Sequence, residues 1–216
     1  MSNIRSLLDH LEDPFEMFPM QSVSRNLADL IHAAEESRFE RADPRKSASP
    51  KYYTVEDEHD IAVVELLIGS AFVLGQAAIT QAVSIVTKIY DLAAKPSWLP
   101  HGKAALMSAE AAKHNKTGLS EIVLIDVVAN YFKHRYEWPD DWIGASPQQQ
   151  RTIDLALRLG LSPDGNHNLD TAVREMGMST RDMTPLSVLV QEWRERLAAY
   201  CRDQMNKHGI DPSSGY

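Results

Sequence analysis

The chain has a single cysteine, Cys201, in 216 residues. That excludes an intrachain disulfide and the zinc and redox motifs built on paired thiols, and it fits a reducing compartment. An unbroken apolar leader is missing as well. Met1 to Glu12 interleaves Arg5, Asp9, His10 and Glu12 with its hydrophobic residues, unlike a secretory signal. The cytoplasm is therefore the expected location. Clear period-two alternation is absent, which argues against a sheet. Positive charge is in deficit: 22 Lys and Arg stand against 30 Asp and Glu, a net charge of −8, and a net-negative body repels phosphate at long range. There is no phosphate-cradling glycine loop and no Gly-x-Ser-x-Gly elbow. A di-iron bundle needs two Glu-x-x-His pairs, and only Glu56 with His59 has that spacing. No metal and no cofactor are expected.

What the chain does have is helical periodicity, and the expected fold is an all-α bundle with one long central helix and short accessory helices. An amphipathic stretch covers about Val23 to Phe39, with Leu27, Leu30, Ile31 and Ala34 on one side, and a linker from Arg41 to Pro50 follows. Residues 1–50 read as a helical extension and residues 51–216 as the bundle core. Thr54 with Asp57 has the spacing of a capping box. The helix it opens persists to about Ala94, with Gly69 and Gly75 as points of kink or break. Trp98 to Pro100 forms a turn, Lys103 to Ala112 a short helix, and His114 to Gly118 a loop. Ser120 caps a helix running to about Trp138. Ser146 and Pro147 start another that ends at Gly160. Two glycine-terminated helices, Thr152 to Ser162 and Asp170 to Ser179, form a near echo without the basic second helix of a helix-turn-helix. The last helix runs from Thr184 to Lys207, with Val188, Leu189, Trp193 and Leu197 as its apolar stripe.

Between Glu65 and Lys88 the central helix carries no charge, long enough to span a bilayer. Ser70, Gln76, Thr80, Gln81 and Ser84 interrupt it, and acidic rather than basic residues precede it, which favours a buried bundle helix over a membrane span. The small residues Gly69, Ala71, Gly75, Ala77 and Ala78 then let neighbouring helices or a second subunit approach closely.

Charge is uneven along the chain. From His101 to Arg135 five cations (Lys103, Lys113, Lys116, Lys133, Arg135) face three anions (Glu110, Glu121, Asp126), a local balance of +2. Within that stretch Asp126 to Trp138 concentrates chemistry. Helical spacing aligns Ile122, Ile125, Ala129, Phe132 and Tyr136 as a buried stripe, and sets Asp126, Asn130, Lys133, His134 and Glu137 on another face. An imidazole exchanges protons near neutral pH, while Lys and Asn can steady a phosphate whose charge grows in a transition state. The same residues also make an ordinary solvent face tied by contacts three and four residues apart, each contributing a few tenths of a kcal/mol, on the order of 0.3.

Ala129-Asn130-Tyr131-Phe132-Lys133-His134-Arg135-Tyr136 resembles the R-N-x-x-x-H-x-Y segment of HEPN-domain proteins, especially toxins paired with minimal nucleotidyltransferase antitoxins. Asn130, His134 and Tyr136 match it, and Ala129 stands where the family has Arg. The resemblance implies a helical bundle that dimerises and gathers two copies of the motif in a cleft for metal-independent RNA cleavage. In that scheme His134 is the acid or base, Asn130 an orienting group, and Tyr136 a modification site. Lys133 or Arg135 supplies the cation that Ala129 does not. A looser Arg-to-His spacing of four to six residues is met by Arg5 with His10, Arg25 with His32 and Arg202 with His208, a number that chance placement also supplies. The expected partners are a second copy of the chain, RNA, and an antitoxin or other protein, with no membrane. The rival expectation is a non-catalytic interaction module, immunity- or antitoxin-like, whose Asn130 to Glu137 face contacts another protein.

Overall fold

In a computed structural model of the chain, residues 3–41, 55–165 and 167–211 are described, excluding the side chains at 34–35, 37–41 and 55–60. The linker from 42 onward, the Thr54–Asp57 cap, and the side chains of Ala34, Glu56 and His59 lie outside the described residues. Among the described residues eight α-helices follow in order: α1 (Ile4–Glu12), α2 (Phe18–Arg41), α3 (Val55–Leu92), α4 (Lys103–Ser108), α5 (Glu121–His134), α6 (Pro147–Leu159), α7 (Asn168–Glu175) and α8 (Thr184–Lys207). Among the described residues no strand forms, and two isolated bridges, Lys113 to Ser120 and Ser179 to Asp182, close turns. The fold is an all-α bundle.

Helix α3 is its axis. It runs 38 residues without interruption through Gly69 and Gly75, about 57 Å at 1.5 Å per residue, and it packs most extensively on α5 and α2. Its stretch Ile61–Leu92 is long and apolar enough to cross a bilayer, and 33% of its apolar 18-residue window is buried inside the bundle. Ile68, Phe72 and Ile79 of α3 meet a core that also holds Ile122, Ile125, Val128 and Ala129 of α5, where each fully buried large side chain contributes about 2 kcal/mol. The glycines do what small residues at a helix contact must. A Cβ on Gly69 would overlap the Phe132 ring, and one on Gly75 would press on Ile125 and Met20.

The N-terminal segment is set into the same core. Asn3 caps α1, its side chain accepting from Ser6 N–H at 2.8 Å, and Ile4, Leu7, Leu8 and Leu11 are buried. The last carbonyls of a helix lack intrahelical donors. Here the fully buried Arg194 of α8 supplies them, donating to His10 O at 2.9 Å and Leu11 O at 3.3 Å.

Local signals set most boundaries. Ser120 caps α5 and Ser146 forms a full capping box with Gln149 before Pro147. Gly160 ends α6 in the left-handed conformation, φ 98°. Two expected faces shift. The buried stripe of α8 is Leu186, Val190, Trp193, Leu197 and Cys201, which leaves Val188 exposed, and in α2 Leu27 and Ile31 are buried while Leu30 is exposed. In both helices the apolar letters outnumber the positions that face the core, so the stripe is ambiguous by one residue.

Candidate functional site at the C-terminal end of α5

Helix α5 lies against α3 in antiparallel order: its Asp126 and Asn130 meet Gln76, its Phe132 meets Gly69, and beyond its end Arg135 meets Glu65. That register divides the five polar residues expected on one face into two groups.

The first group centres on Gln76. Its amide nitrogen donates to Asp126 Oδ1 at 2.7 Å and to Asn130 Oδ1 at 3.0 Å, and its carbonyl oxygen accepts from Lys133 Nζ at 2.6 Å. Asn130 Nδ2 donates to Asp126 Oδ2 at 3.3 Å, and Lys103 Nζ of α4 donates to Asp126 Oδ1 at 2.6 Å. Asp126 and Gln76 are buried and Lys133 is exposed. A buried carboxylate therefore has its charge balanced by an ammonium at the surface and its oxygens filled by amides, as buried polar atoms require.

The second group is His134 with Glu137. His134 ends α5, its side chain 45% exposed, and its Nδ1 lies 3.1 Å from Glu137 Oε2. The carboxylate orients the ring, so the Nε2 edge is the one free to serve a substrate. Asn130 and Lys133 are thus drawn to Gln76, while His134 pairs with Glu137 one turn further on.

The helix gives way to a 3-10 turn at Arg135–Glu137, and this breaks the expected stripe. Phe132 is half-buried on Gly69, but Tyr136, expected in the core, is 87% exposed. The turn shifts Tyr136 off the α-helical phase. Arg135 lies under its ring, 4.9 Å from the centroid, and donates to the Tyr136 hydroxyl at 3.1 Å. Ala129, at the position of the family's Arg, is fully buried. An arginine there would enter the core, so any cation must come from Lys133 or Arg135.

Beside Tyr136 a cleft of about 400 Å³ opens between α3, the end of α5 and the loop at Pro163 and Gly165. Its wall holds Tyr131, Trp138 and Trp142, with ring centroids 5.4–5.9 Å apart in tilted and edge-to-face contact. The lining residues that carry polar groups include Glu65, Tyr131, Arg135, Tyr136 and Asp140. Glu65 Oε2 pairs with Arg135 at 3.4 Å, and Oε1 accepts from Leu169 N–H at the start of α7 at 3.3 Å. Burial raises the Glu65 carboxyl above its ordinary 4.5 despite the opposing pull of Arg135. Burial likewise raises the Tyr131 phenol, whose oxygen accepts from Asn168 Nδ2 at 2.9 Å.

Sequence reasoning missed Gln76, Glu65, Tyr131, Trp138 and Trp142. Two signals existed: a glutamine amid the apolar residues of an uncharged helix, and the crowding of aromatics between Tyr131 and Trp142. Among the described residues, no three His, Cys, Asp or Glu converge as a metal site. Comparisons with protein-family models, curated proteins and solved structures yield no match, so function has to be argued from these residues and the motif they carry.

Proposed function

We propose that the chain is a HEPN-like protein that acts on RNA in the cytoplasm, as a metal-independent ribonuclease of the toxin or defence type, with His134 as its proton-transfer group. The observation that carries this reading is the His134–Glu137 pair, held at a helix end and flanked in the chain by exposed Lys133 and by Arg135 and Tyr136, which line an open aromatic cleft. The ribose 2′-oxygen attacks the adjacent phosphorus and gives its proton to His134 Nε2. The P–O5′ bond then breaks, and the imidazolium returns the proton to the 5′-oxygen, leaving a 2′,3′-cyclic phosphate. Lys133, exposed and held by the neutral Gln76 carbonyl rather than by a carboxylate, is the cation for the growing charge, since Arg135 is occupied by Glu65. Cys201 is fully buried, and burial pushes its thiol up to about 12, so it is inert and takes no part in this chemistry.

In this reading the partner is a second copy, paired through the outer face of α3. Leu66, Ser70, Val73, Ala77, Thr80 and Ser84 recur there at steps of four and three without a charge. Ser70 and Thr80 donate their hydroxyls to the helix's own carbonyls, at Leu66 O (2.7 Å) and Gln76 O (2.8 Å), so the middle of the face offers no free hydroxyl donor. Antiparallel pairing about the midpoint of Val73 and Ala77 sets Leu66 against Ser84, Ser70 against Thr80, and Val73 against Ala77. Larger meets smaller at each step, as a self-complementary two-fold contact needs.

A second reading, a non-catalytic interaction module, is favoured by one fact: Asn130 and Lys133 are engaged by Gln76, which is sufficient reason for their presence. Incubating the full chain with single-stranded RNA in EDTA separates the two. Cleavage that falls about 10²- to 10⁴-fold in His134→Ala supports the ribonuclease, whereas equal inertness of both proteins favours the module.

A further inference from the structure

The cleft beside Tyr136 has a chemistry that proton transfer by His134 does not use. Its volume of about 400 Å³ suits one small planar ligand. Its charge, two carboxylates (Glu65, Asp140) against one guanidinium (Arg135), disfavours a phosphate inside it. A neutral ring bearing both donors and acceptors meets no such penalty. The Tyr131 oxygen already accepts from Asn168 Nδ2. Its own hydrogen is therefore left for an acceptor in the cleft. Glu65 accepts from Leu169 N–H at Oε1 and from Arg135 at Oε2, with the Asp170 N–H directed at the same carboxylate, and of the carboxylate's roughly four acceptor sites this leaves capacity for an incoming N–H. Tyr136 stands at the mouth as a large ring in solvent, with the guanidinium of Arg135 against one face and the other face open to stacking.

We infer that this cleft takes one unpaired nucleobase of a single-stranded RNA, stacked on Tyr136 and hydrogen-bonded at its edge by the Tyr131 hydroxyl and the Glu65 carboxylate. The inference rests on the RNA reading of the α5 end and deepens it. Guanine fits best, because its N1–H and N2–H present two neighbouring donors to a carboxylate while its O6 accepts from a hydroxyl. The phosphates of the same strand stay outside, towards Lys133.

The test is a titration of the full chain with guanosine and with cytidine, followed by tryptophan fluorescence, since Trp138 and Trp142 line the cleft. RNA cleavage is scored on the same protein. Saturable quenching is expected with guanosine, more weakly with cytidine. Tyr136→Ala should weaken guanosine about tenfold, the scale of one lost base stack, and Tyr136→Phe should restore it. Because Tyr136 is exposed, neither substitution threatens folding. No saturable change with either nucleoside, or the same affinity in Tyr136→Ala as in the wild type, overturns the inference. If RNA is cleaved but guanosine does not bind, the cleft assignment alone falls. If guanosine binds as described and RNA is left intact, the ribonuclease reading falls and the base site stands.

Discussion

His134 owes its place to where α5 stops. A helix continued in register would carry Tyr136 into the core with Phe132. The 3-10 turn at Arg135–Glu137 instead turns Tyr136 outward and brings Glu137 back to the imidazole. Arg135 is the residue that makes this turn stable, since its guanidinium touches Phe132, Tyr136 and Glu65 at once. Glu65 in turn serves α7, where its carboxylate sits at a helix N-terminus and accepts a backbone N–H. Its folded-state pKa lies above the unfolded value of 4.5. The fold therefore binds that proton more tightly than the unfolded chain does, and stability from this group is complete below 4.5 and lost as pH rises through the higher folded value. Glu65→Gln should flatten the stability-against-pH profile in the window just above 4.5, measured by urea unfolding at a series of pH values. An unchanged slope in the variant would remove Glu65 as its source.

At the scale of elements, the α3–α5 contact decides the geometry of the site, and Gly69 decides the contact. Ala is ordinarily the better helix former, by about 1 kcal/mol. Here the added methyl would overlap the Phe132 ring at its near carbons, and overpacking of this kind costs about 1–3 kcal/mol. Gly69→Ala should destabilise the chain by about 1 kcal/mol in a denaturant midpoint and reduce any activity at His134, whereas a gain in stability would mean that Phe132 yields freely. Caps and stops of this kind were legible in advance. Ser120, Ser146 with Pro147, and Gly160 each act through their own backbone, so a few neighbouring letters suffice. What was not legible depends on register between helices distant in sequence. Nothing near Asn130 announces Gln76, and nothing near Arg135 announces Glu65. The five polar residues from Asp126 to Glu137 share a face on a helical wheel, yet α3 divides them, because a wheel ignores which neighbour has a donor to satisfy.

For the whole molecule, an uncharged outer face on the longest helix is the feature that an isolated chain leaves unexplained. Leu66 through Ser84 covers about 28 Å of α3 at 1.5 Å per residue, and the Ser70 and Thr80 hydroxyls along it are satisfied by their own helix. Light scattering should return twice the chain mass of 24.2 kDa. Ala77→Arg, at the centre of the face, should return the single mass without loss of helix content by circular dichroism. A monomeric wild type would refute the pairing.

The central claim, that RNA is met at the end of α5, is most directly checked by nuclear magnetic resonance on the full chain. The His134 ring signal is followed during titration with a short single-stranded RNA. His114 lies before the start of α5, with its ring held at the Glu175 carbonyl, and serves as an internal reference. The account predicts a saturable shift at His134 with His114 unmoved. A His134 signal that stays still at saturating RNA, or an RNA that does not bind at all, would contradict it.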